Sequence, residues 1–475
     1  MSLIDTLRAL LGPGAVLTEP ADLAAHVEDW RGRSRGAAAC VALPSSTAQV
    51  AAVVQATRSA GVPLLPQGGN TSLCGGAVPH AEGPPPVVLN LSRMRRIRSV
   101  DAANHSMEVE AGCVLAAVQQ AAAEAGRLYP ISLGAEGSCQ IGGTIATNAG
   151  GTGVLRYGNT RDNVLGLEVV LPDGRVWDGL YRLRKNNTGL DLKHLFIGAE
   201  GTMGVVTAAT LKLHPLPTAH AVAWMAPASP AAALQMLGRF QQNCGAQLSA
   251  FEMIDNGQLQ FVLDHVPGRR APLPPTHRWH VLVEVSDTRD EANLRRALEQ
   301  VLAEGSERGL IDDAVVAASG AQRDAMWLVR HSVSEANKKA GVGLTTDSAV
   351  PVSAVPEFID KASAAVHRLV PGLPIILVAH LGDGNVHFIP FFSFERWQAL
   401  PDRDAMGARI KHAVNEVAHA LGGSFSAEHG IGQTLTQEMA LFKPAVEIEL
   451  MRSLKHLLDP ADLFNPHRLL PPVHP

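Results

Sequence analysis

Three glycine-rich segments lie within the first 215 residues of the chain: LPQGGNTSLCGG (65–76), GGTIATNAGG (142–151) and IGAEGTMGVVT (197–207). Consecutive glycines permit left-handed backbone and leave N–H groups exposed, so such a loop can form a concave nest for an anion such as a pyrophosphate. A single loop of this kind is as often a tight turn without a ligand. Three of them indicate a backbone that closely approaches a large ligand, for which a dinucleotide is the obvious candidate.

The usual dinucleotide fingerprint, G-x-G-x-x-G between a strand and a helix, does not occur. Its nearest approach, Gly151-Thr152-Gly153, has Arg156 where the third glycine should stand. The signature of a phosphate-binding P-loop is missing as well. The sequence therefore argues against a Rossmann fold and against a nicotinamide cofactor bound in that way.

Length and composition limit the class of protein. A chain of 475 residues is too long for one ordinary core, and 46% hydrophobic with 18% charged residues is typical of a globular protein. The net charge of −5 argues against nucleic acid as a partner. The N-terminus lacks the features of a signal or transit peptide, and no stretch offers the roughly 20 apolar residues of a membrane span. We expect no transmembrane segment and a cytoplasmic location.

The five cysteines are odd in number and never form a C-x-x-C pair. This pattern fits a reducing compartment and excludes a cysteine-ligated iron–sulfur cluster within the chain.

The pattern of elements predicts three parts. Residues 1–215 alternate β-branched runs with alanine-rich helical patterns, and 216–460 combine helices and strands as in an α+β domain with an antiparallel sheet. The remaining residues, 461–475, form a C-terminal segment. A single long helix is predicted over QRDAMWLVRHSVSEANKKAG, residues 322–341.

The segment HLGDGNVHF, 380–388, predicts a hairpin with Asp383-Gly384 as its turn. That turn would set His380 directly opposite His387, close enough for both imidazoles to share one metal ion. Two histidines beside a turn are more often merely solvated. In SFSAEHGIGQ, Glu428 offers a carboxylate that would complete a site of two histidines and one carboxylate, suited to zinc or another borderline divalent cation.

Five motifs together resemble, in order and spacing, the FAD-linked oxidases of the vanillyl-alcohol-oxidase or PCMH type: PLLPQGGNTSL, GSCQIGGTIATNAGG, IGAEGTMGVVT, HLGDGNVHF and SAEHGIG. The similarity runs from about residue 38 to residue 470, and the D-2-hydroxy-acid dehydrogenase branch is the nearest. It implies an α+β fold: a two-part PCMH-type FAD-binding domain, then an α+β substrate domain with an antiparallel sheet. It also implies a C-terminal helical segment that returns to the flavin.

The resemblance implies the site residues. It places the metal on His380, His387 and Glu428. It places noncovalent FAD on the following residues: Gln67, Gly68, Gly69, Asn70, Thr71, Ser72, Leu73, Gly142, Gly143, Thr147, Asn148, Gly151, Glu200, Gly201 and Asn465. Asn70 stands where relatives with covalent FAD often carry a histidine. Cys139 leaves a thioether link open as an alternative to a small buried thiol.

The implied activity is oxidation of a D-2-hydroxy acid, such as D-lactate or D-2-hydroxyglutarate, to the 2-keto acid. The metal would lower the pKa of the hydroxyl, and His429, pointing away from Glu428, would take its proton while hydride passes to the flavin N5. Arg330 would bind the substrate carboxylate, and Ser334, one turn later, would face the same way.

Two positions depart from the hydroxyglutarate branch, which by resemblance has a lysine at Thr345 and an asparagine at Ile389. The substrate is therefore left open, and so is the acceptor, either an electron-transfer flavoprotein or a quinone. Two other hypotheses remain: an oxidase that uses oxygen, and a flavoprotein subunit of a multi-subunit complex resembling glycolate oxidase. A homodimer is plausible by resemblance.

Overall fold

A computed structural model describes residues 1–472. The chain divides into two compact units. Unit 1 comprises 1–151, 158–216 and the C-terminal segment that begins at Glu428; unit 2 comprises 152–157 and 217–427. The predicted boundary at 215 lies one residue from the structural one, whereas the chain rejoins unit 1 at Glu428, well before the predicted 461. Residues 473–475 of that predicted segment lie outside the described residues.

The strands are, in chain order, β1 Val16–Leu17, β2 Cys40–Ala42, β3 Leu64–Gln67, β4 Val87–Asn90, β5 Ile97–Asp101, β6 Ser106–Glu110, β7 Arg127–Leu128, β8 Val164–Val170, β9 Val176–Gly179, β10 Val205–Lys212, β11 His214–Pro215, β12 Ala219–Pro227, β13 Leu248–Asp255, β14 Trp279–Asp287, β15 Ile311–Val316, β16 Val342–Gly343, β17 Thr346–Ala349, β18 Ile375–His380 and β19 Asn385–Phe392.

The α-helices are α1 Leu3–Leu11, α2 Pro20–Val27, α3 Thr47–Ala60, α4 Leu115–Glu124, α5 Ile141–Ala146, α6 Val154–Tyr157, α7 Pro230–Cys244, α8 Asn256–His265, α9 Glu291–Glu307, α10 Gly320–His331, α11 Val333–Ala340, α12 Val355–Leu369, α13 Phe394–Gln398, α14 Arg403–Ala420, α15 Thr436–Phe442 and α16 Ala445–Leu458.

Unit 1 contains a four-stranded sheet, β1-β2-β4-β3, and a five-stranded sheet, β5-β6-β10-β8-β9. Strands β2, β4 and β3 run parallel, so a helix must connect β2 to β3. Helix α3 does so: the Ser46 side chain caps its N-terminus, and Gly61 ends it in the left-handed conformation that glycine adopts at no steric cost. Strand β3 leads directly into the first glycine-rich loop.

Unit 2 is built on one eight-stranded sheet with the order β15-β12-β14-β13-β18-β19-β16, in which β17 also pairs with β19. Every pairing in it is antiparallel. Phe251, Phe358 and Phe388 are fully buried in the core of this unit. The predicted α+β class with an antiparallel sheet is confirmed.

Two further predictions concern the described residues. All five cysteines are buried and free. Between residues 1 and 472, no helix combines the length and the apolar character that a membrane crossing demands.

Asp255 joins strand β13 to helix α8 and gives unit 2 a pH dependence. Its Oδ1 accepts hydrogen bonds from the N–H groups of Gln258 and Leu377, each at 3.0 Å. Burial raises the pKa of Asp255 to about 6. The folded protein thus holds this proton more tightly than the unfolded chain, and stability must fall as the pH rises from about 4 to about 6.

We expect Asp255→Asn, which keeps the accepting oxygen, to remove this loss. The free energy of unfolding of the variant should therefore rise relative to wild type between pH 4 and pH 7, as measured by urea unfolding followed by tryptophan fluorescence. Asp264→Asn, at an exposed position of the same helix, serves as the control. Parallel pH profiles for wild type and Asp255→Asn would contradict the assignment.

Candidate active site

The first glycine-rich loop is held by buried side chains of unit 1. The Gln67 side-chain amide donates to the carbonyl oxygens of His26 at 2.9 Å and Ala77 at 2.7 Å. A Cβ on Gly69 would lie only 2.0 Å from the carbonyl oxygen of Ser138, so no other residue fits there without a backbone shift. The Gln67 side chain therefore supports the loop, and its amide group hydrogen-bonds to the protein backbone.

Four non-glycine residues of the expected cofactor site adopt left-handed backbone: Asn70 (φ 53°), Asn148 (φ 50°), Glu200 (φ 51°) and Asn465 (φ 44°). One lies in each of the three glycine-rich loops. This conformation is uncommon outside glycine, and its cost is typically stored at binding sites. The local geometry thus agrees with a ligand-binding role for all three loops.

Hydrogen bonds connect the loops to one another. The N–H groups of Gly198 and Glu200 donate to the carbonyls of Ile145 (3.0 Å) and Ala146 (2.8 Å), which joins the third loop to the second. The Asn465 side chain donates to the carbonyls of Gly76 (3.2 Å) and Glu200 (2.7 Å), which joins the first to the third. Every residue expected to bind the cofactor belongs to unit 1.

Several buried side-chain oxygens around these loops accept no hydrogen bond from the part of the protein that the structure describes. Within residues 1–472, the side-chain oxygens of Asn70, Gln140 and Asn465 are buried without a hydrogen-bond partner. Such acceptors are costly unless a ligand supplies donors, and FAD carries hydroxyl and N–H donors along its length. The residues present thus fit FAD. Burial raises the pKa of Cys139 to about 12, which keeps its thiol neutral near pH 7.

Glu200 performs a second task through its carboxylate. Its two oxygens accept the N–H groups of Ile431 and Gly432, each at 2.7 Å. Burial of the carboxyl raises the pKa of Glu200, while these two hydrogen bonds act in the opposite direction. Gly430 also lies against this carboxylate, since a Cβ there would come within 2.8 Å of Oε1. Glu200 thus fixes the segment that follows Glu428.

The histidine hairpin of unit 2 has a longer turn than expected. His380 pairs with Asn385 and Val378 with His387, so the prediction that the two histidines stand directly opposite is wrong. The His380 carbonyl accepts the N–H groups of Asp383 and Gly384, and Gly384 is left-handed, which closes a four-residue turn over 381–384. The two histidines remain diagonal neighbours on one face of the sheet, with ring centroids 5.5 Å apart.

Glu252, on the neighbouring strand β13, orients two of the predicted residues. Its Oε1 lies 2.8 Å from Nδ1 of His380, and its Oε2 accepts from Nε (2.9 Å) and Nη2 (2.7 Å) of Arg330. Burial would raise the pKa of Glu252, but the neighbouring His380 and Arg330 outweigh it and lower this pKa to about 2. The guanidinium fork expected to bind substrate is thus occupied by Glu252. The sequence signal was an acidic residue in the middle of the apolar strand LSAFEMID.

Asp347 is a second residue that the sequence did not reveal. It pairs with His387 across β17 and β19, and its Oδ1 lies 3.8 Å from Nδ1 of that histidine. Ala427, at the end of unit 2, donates its N–H to the Asp347 carboxylate at 3.0 Å. Ala427 directly precedes Glu428, the predicted third ligand, in the sequence.

Two expectations about local direction are wrong. His429 does not point away from Glu428, since its Nε2 lies 3.7 Å from Oε1 of that residue. The long helix expected over 322–341 is broken at Ser332 into α10 and α11. Arg330 is consequently buried in the first helix, whereas Ser334 is exposed in the second, and the two do not share one environment. The Ser332 hydroxyl, which donates to the Leu328 carbonyl at 2.6 Å, accompanies the break.

The fold matches those of solved structures of other proteins. Over 98% of this chain and 84% of the other, it superposes on alkyldihydroxyacetonephosphate synthase with a TM-score of 0.75 at 17% identity. Over 99% of this chain and 96% of the other, it matches p-cresol methylhydroxylase with substrate bound, with a TM-score of 0.74 at 15% identity. At such low identities, these likenesses establish the fold.

The chain belongs to the FAD-linked oxidase family. The family's C-terminal domain matches residues 216–469, and the FAD binding domain matches 38–179. It is 35% identical to a mitochondrial D-2-hydroxyglutarate dehydrogenase of Arabidopsis thaliana, over 98% of this chain and 81% of the relative. It is 37% identical to the D-2-hydroxyglutarate dehydrogenase of Xanthomonas citri pv. viticola, over 95% and 93%. The protein is an FAD-dependent oxidoreductase, and the predicted family is confirmed.

We expect Glu200→Gln to loosen the segment that follows Glu428, because an amide has one accepting oxygen for the two N–H groups of Ile431 and Gly432. The unfolding free energy of unit 1 should fall by about 1–3 kcal/mol, and the amides of Ile431 and Gly432 should lose protection from hydrogen exchange. Glu449→Gln, on the exposed face of α16 in the same unit, is the matched control. Unchanged protection of both amides in Glu200→Gln would disprove the proposed role of the Glu200 carboxylate in fixing this segment.

Proposed function

We propose that the protein oxidises a D-2-hydroxy acid to the 2-keto acid with FAD and one divalent cation. The observation that carries this proposal is the set of ligand-type side chains on one face of the unit 2 sheet, where His380 lies next to His387 and His387 lies beside the Asp347 carboxylate. The relatives named as D-2-hydroxyglutarate dehydrogenases support the reaction class.

The proposed ligands of the cation are His380, His387 and Glu428, with Asp347 available as a fourth. The ligand atoms of Asp347 and His387 lie within 4.8 Å of each other, a spacing that one ion can bridge. Glu252 at Nδ1 of His380 leaves Nε2 as the ligating nitrogen and fixes the ring, as carboxylates commonly do behind metal-bound histidines. A mixed nitrogen and oxygen set favours zinc or a similar cation.

Bound FAD supplies a hydride acceptor, and a bound divalent cation lowers the pKa of the substrate hydroxyl. The protein's own side chains then have separable tasks. A ring nitrogen of His429 takes the hydroxyl proton, and Glu428, 3.7 Å away, stabilises the resulting imidazolium. Nη1 of Arg330, the nitrogen outside its pair with Glu252, is the remaining donor for the substrate's C1 carboxylate.

The electron acceptor is proposed to be an electron-transfer flavoprotein or a quinone. Anaerobic reduction of the protein-bound flavin, followed by stopped-flow mixing with each acceptor or with oxygen, separates a dehydrogenase from an oxidase. Catalysis by the purified chain alone would also count against an obligate role as a subunit of a larger complex.

Under anaerobic conditions, we expect D-2-hydroxy acids to bleach the flavin absorbance and their L-enantiomers to leave it unchanged. Pretreatment with a chelator should abolish bleaching, and added zinc should restore it. The spectrum of the flavin near 450 nm provides the measurement. A panel of hydroxy acids that leaves the flavin oxidised would rule out the proposed reaction class.

His387→Ala should lose bound metal and more than about 100-fold in turnover, because even partners behind a ligand are typically worth about 10–100-fold. It should keep its flavin, since the FAD loops lie in unit 1. Metal analysis and the flavin-to-protein absorbance ratio test both parts. His419→Ala, at an exposed position of α14, is the control. Full metal content in His387→Ala would refute the proposed ligand set.

A further inference from the structure

The sheet face that carries the two histidines changes from polar to apolar along its strands. Glu252 pairs with His380 at the polar end, and His387 pairs with Asp347 in the next row. Side chains two positions further along a strand point to the same face, about 7 Å away. In β19 that next position, immediately beyond His387, is Ile389.

The apolar end is a small cluster of its own. Ile376 pairs with Ile389, and both pack with Phe391, Phe261 of α8 and Ala340 of α11. Ile389 is only 3% exposed, and the rings of Phe261 and Phe391 lie 4.6 Å apart. A group that enters this end of the face meets hydrocarbon, with no charge of its own to pair with.

The segment 343–345, which lies beside Ile389, is equally uncharged. The Leu344 N–H donates to the Pro390 carbonyl at 2.9 Å, and this register puts Thr345 next to Ile389 across the pair. At Gly343, a Cβ would lie 2.8 Å from Cγ2 of Ile389, so the glycine makes room for the isoleucine side chain. This side of the face offers one hydroxyl and otherwise backbone and methyl groups.

Neighbouring cations are already paired. The buried guanidinium of Arg330 is neutralised by both of its bonds to Glu252. Lys339 is exposed and pairs with Glu335 one turn earlier. The proposed cation would be engaged by the substrate's hydroxyl and C1 carboxylate, and Asp347 adds negative charge to the same face. A second substrate carboxylate beside Ile389 would therefore be buried with no side-chain counter-ion, which is unfavourable.

We propose that the substrate is a 2-hydroxy acid with an uncharged, apolar side chain, such as a short branched aliphatic one, and that Ile389 determines this specificity. This inference rests on the proposed function, since it assumes that the hydroxyl and C1 carboxylate are held beside His387. From there, the substrate side chain extends toward Ile389 and Ile376. A dicarboxylate would place its second charge against the same two residues.

The test compares kcat/KM for D-2-hydroxyisovalerate and D-2-hydroxyglutarate on the holoenzyme with an artificial dye acceptor. We expect the apolar acid to be preferred by at least about 10-fold, because pockets distinguish single methylene groups by about 10–200-fold. Preference for D-2-hydroxyglutarate would overturn the inference and leave the proposed function intact. Failure of every hydroxy acid to reduce the flavin would instead overturn the proposed function.

Substitutions at positions 345 and 389 test whether these residues set the preference between the two substrates. Thr345→Lys should place a cation beside Ile389 and move the kcat/KM ratio toward D-2-hydroxyglutarate by at least about 10-fold, and the double variant with Ile389→Asn should move it further. Thr288→Lys, the same change at an exposed loop position, should leave the ratio unchanged. FAD content and melting temperature verify folding. An unaltered ratio in folded Thr345→Lys would refute this location.

Discussion

The buried carboxylate of Glu200 is the interaction on which the cofactor-binding unit depends. Its backbone N–H is bonded to the second glycine-rich loop, its carbonyl to Asn465, and its two oxygens to the N–H groups of Ile431 and Gly432. One residue thus connects the third loop to the second loop and to the C-terminal segment. Because a buried carboxylate without partners is costly, these contacts depend on one another, and the loops form as a set.

Glu252 plays the corresponding part in unit 2. It joins His380 and Arg330, so that an imidazole and a guanidinium are held by one buried anion. The pair explains why two of the three guanidinium nitrogens of Arg330, a side chain expected to face substrate, are instead bonded to the protein. The next row of the sheet carries Asp347 and His387 and is the last polar row on this face. Beyond it lies the apolar cluster around Ile389.

Sequence reasoning predicted what is local. The glycine loops, the α+β class and the hairpin followed from glycine density, periodicity and turn residues. It failed where the answer depended on distant partners or on turn length. Asp383-Gly384 fits a two-residue turn as well as the end of a four-residue one, and only the ladder distinguishes them. Glu252 lies 128 residues from His380, so no local pattern could pair them. The break at Ser332 separated Arg330 and Ser334, which were expected to face the same way.

The hydrogen bonds between the Glu200 carboxylate and the C-terminal segment also have a consequence for biosynthesis. The carboxylate and its partner Ile431 are 231 residues apart, and residues 217–427 of unit 2 are encoded between them. During translation the three glycine loops emerge early, yet the segment that secures them leaves the ribosome only after all of unit 2 has been made. Unit 2 can therefore fold first, whereas unit 1 can be completed only after its C-terminal segment, which contains Ile431 and Gly432, has been synthesised. Cofactor capture should then be a late, post-translational event.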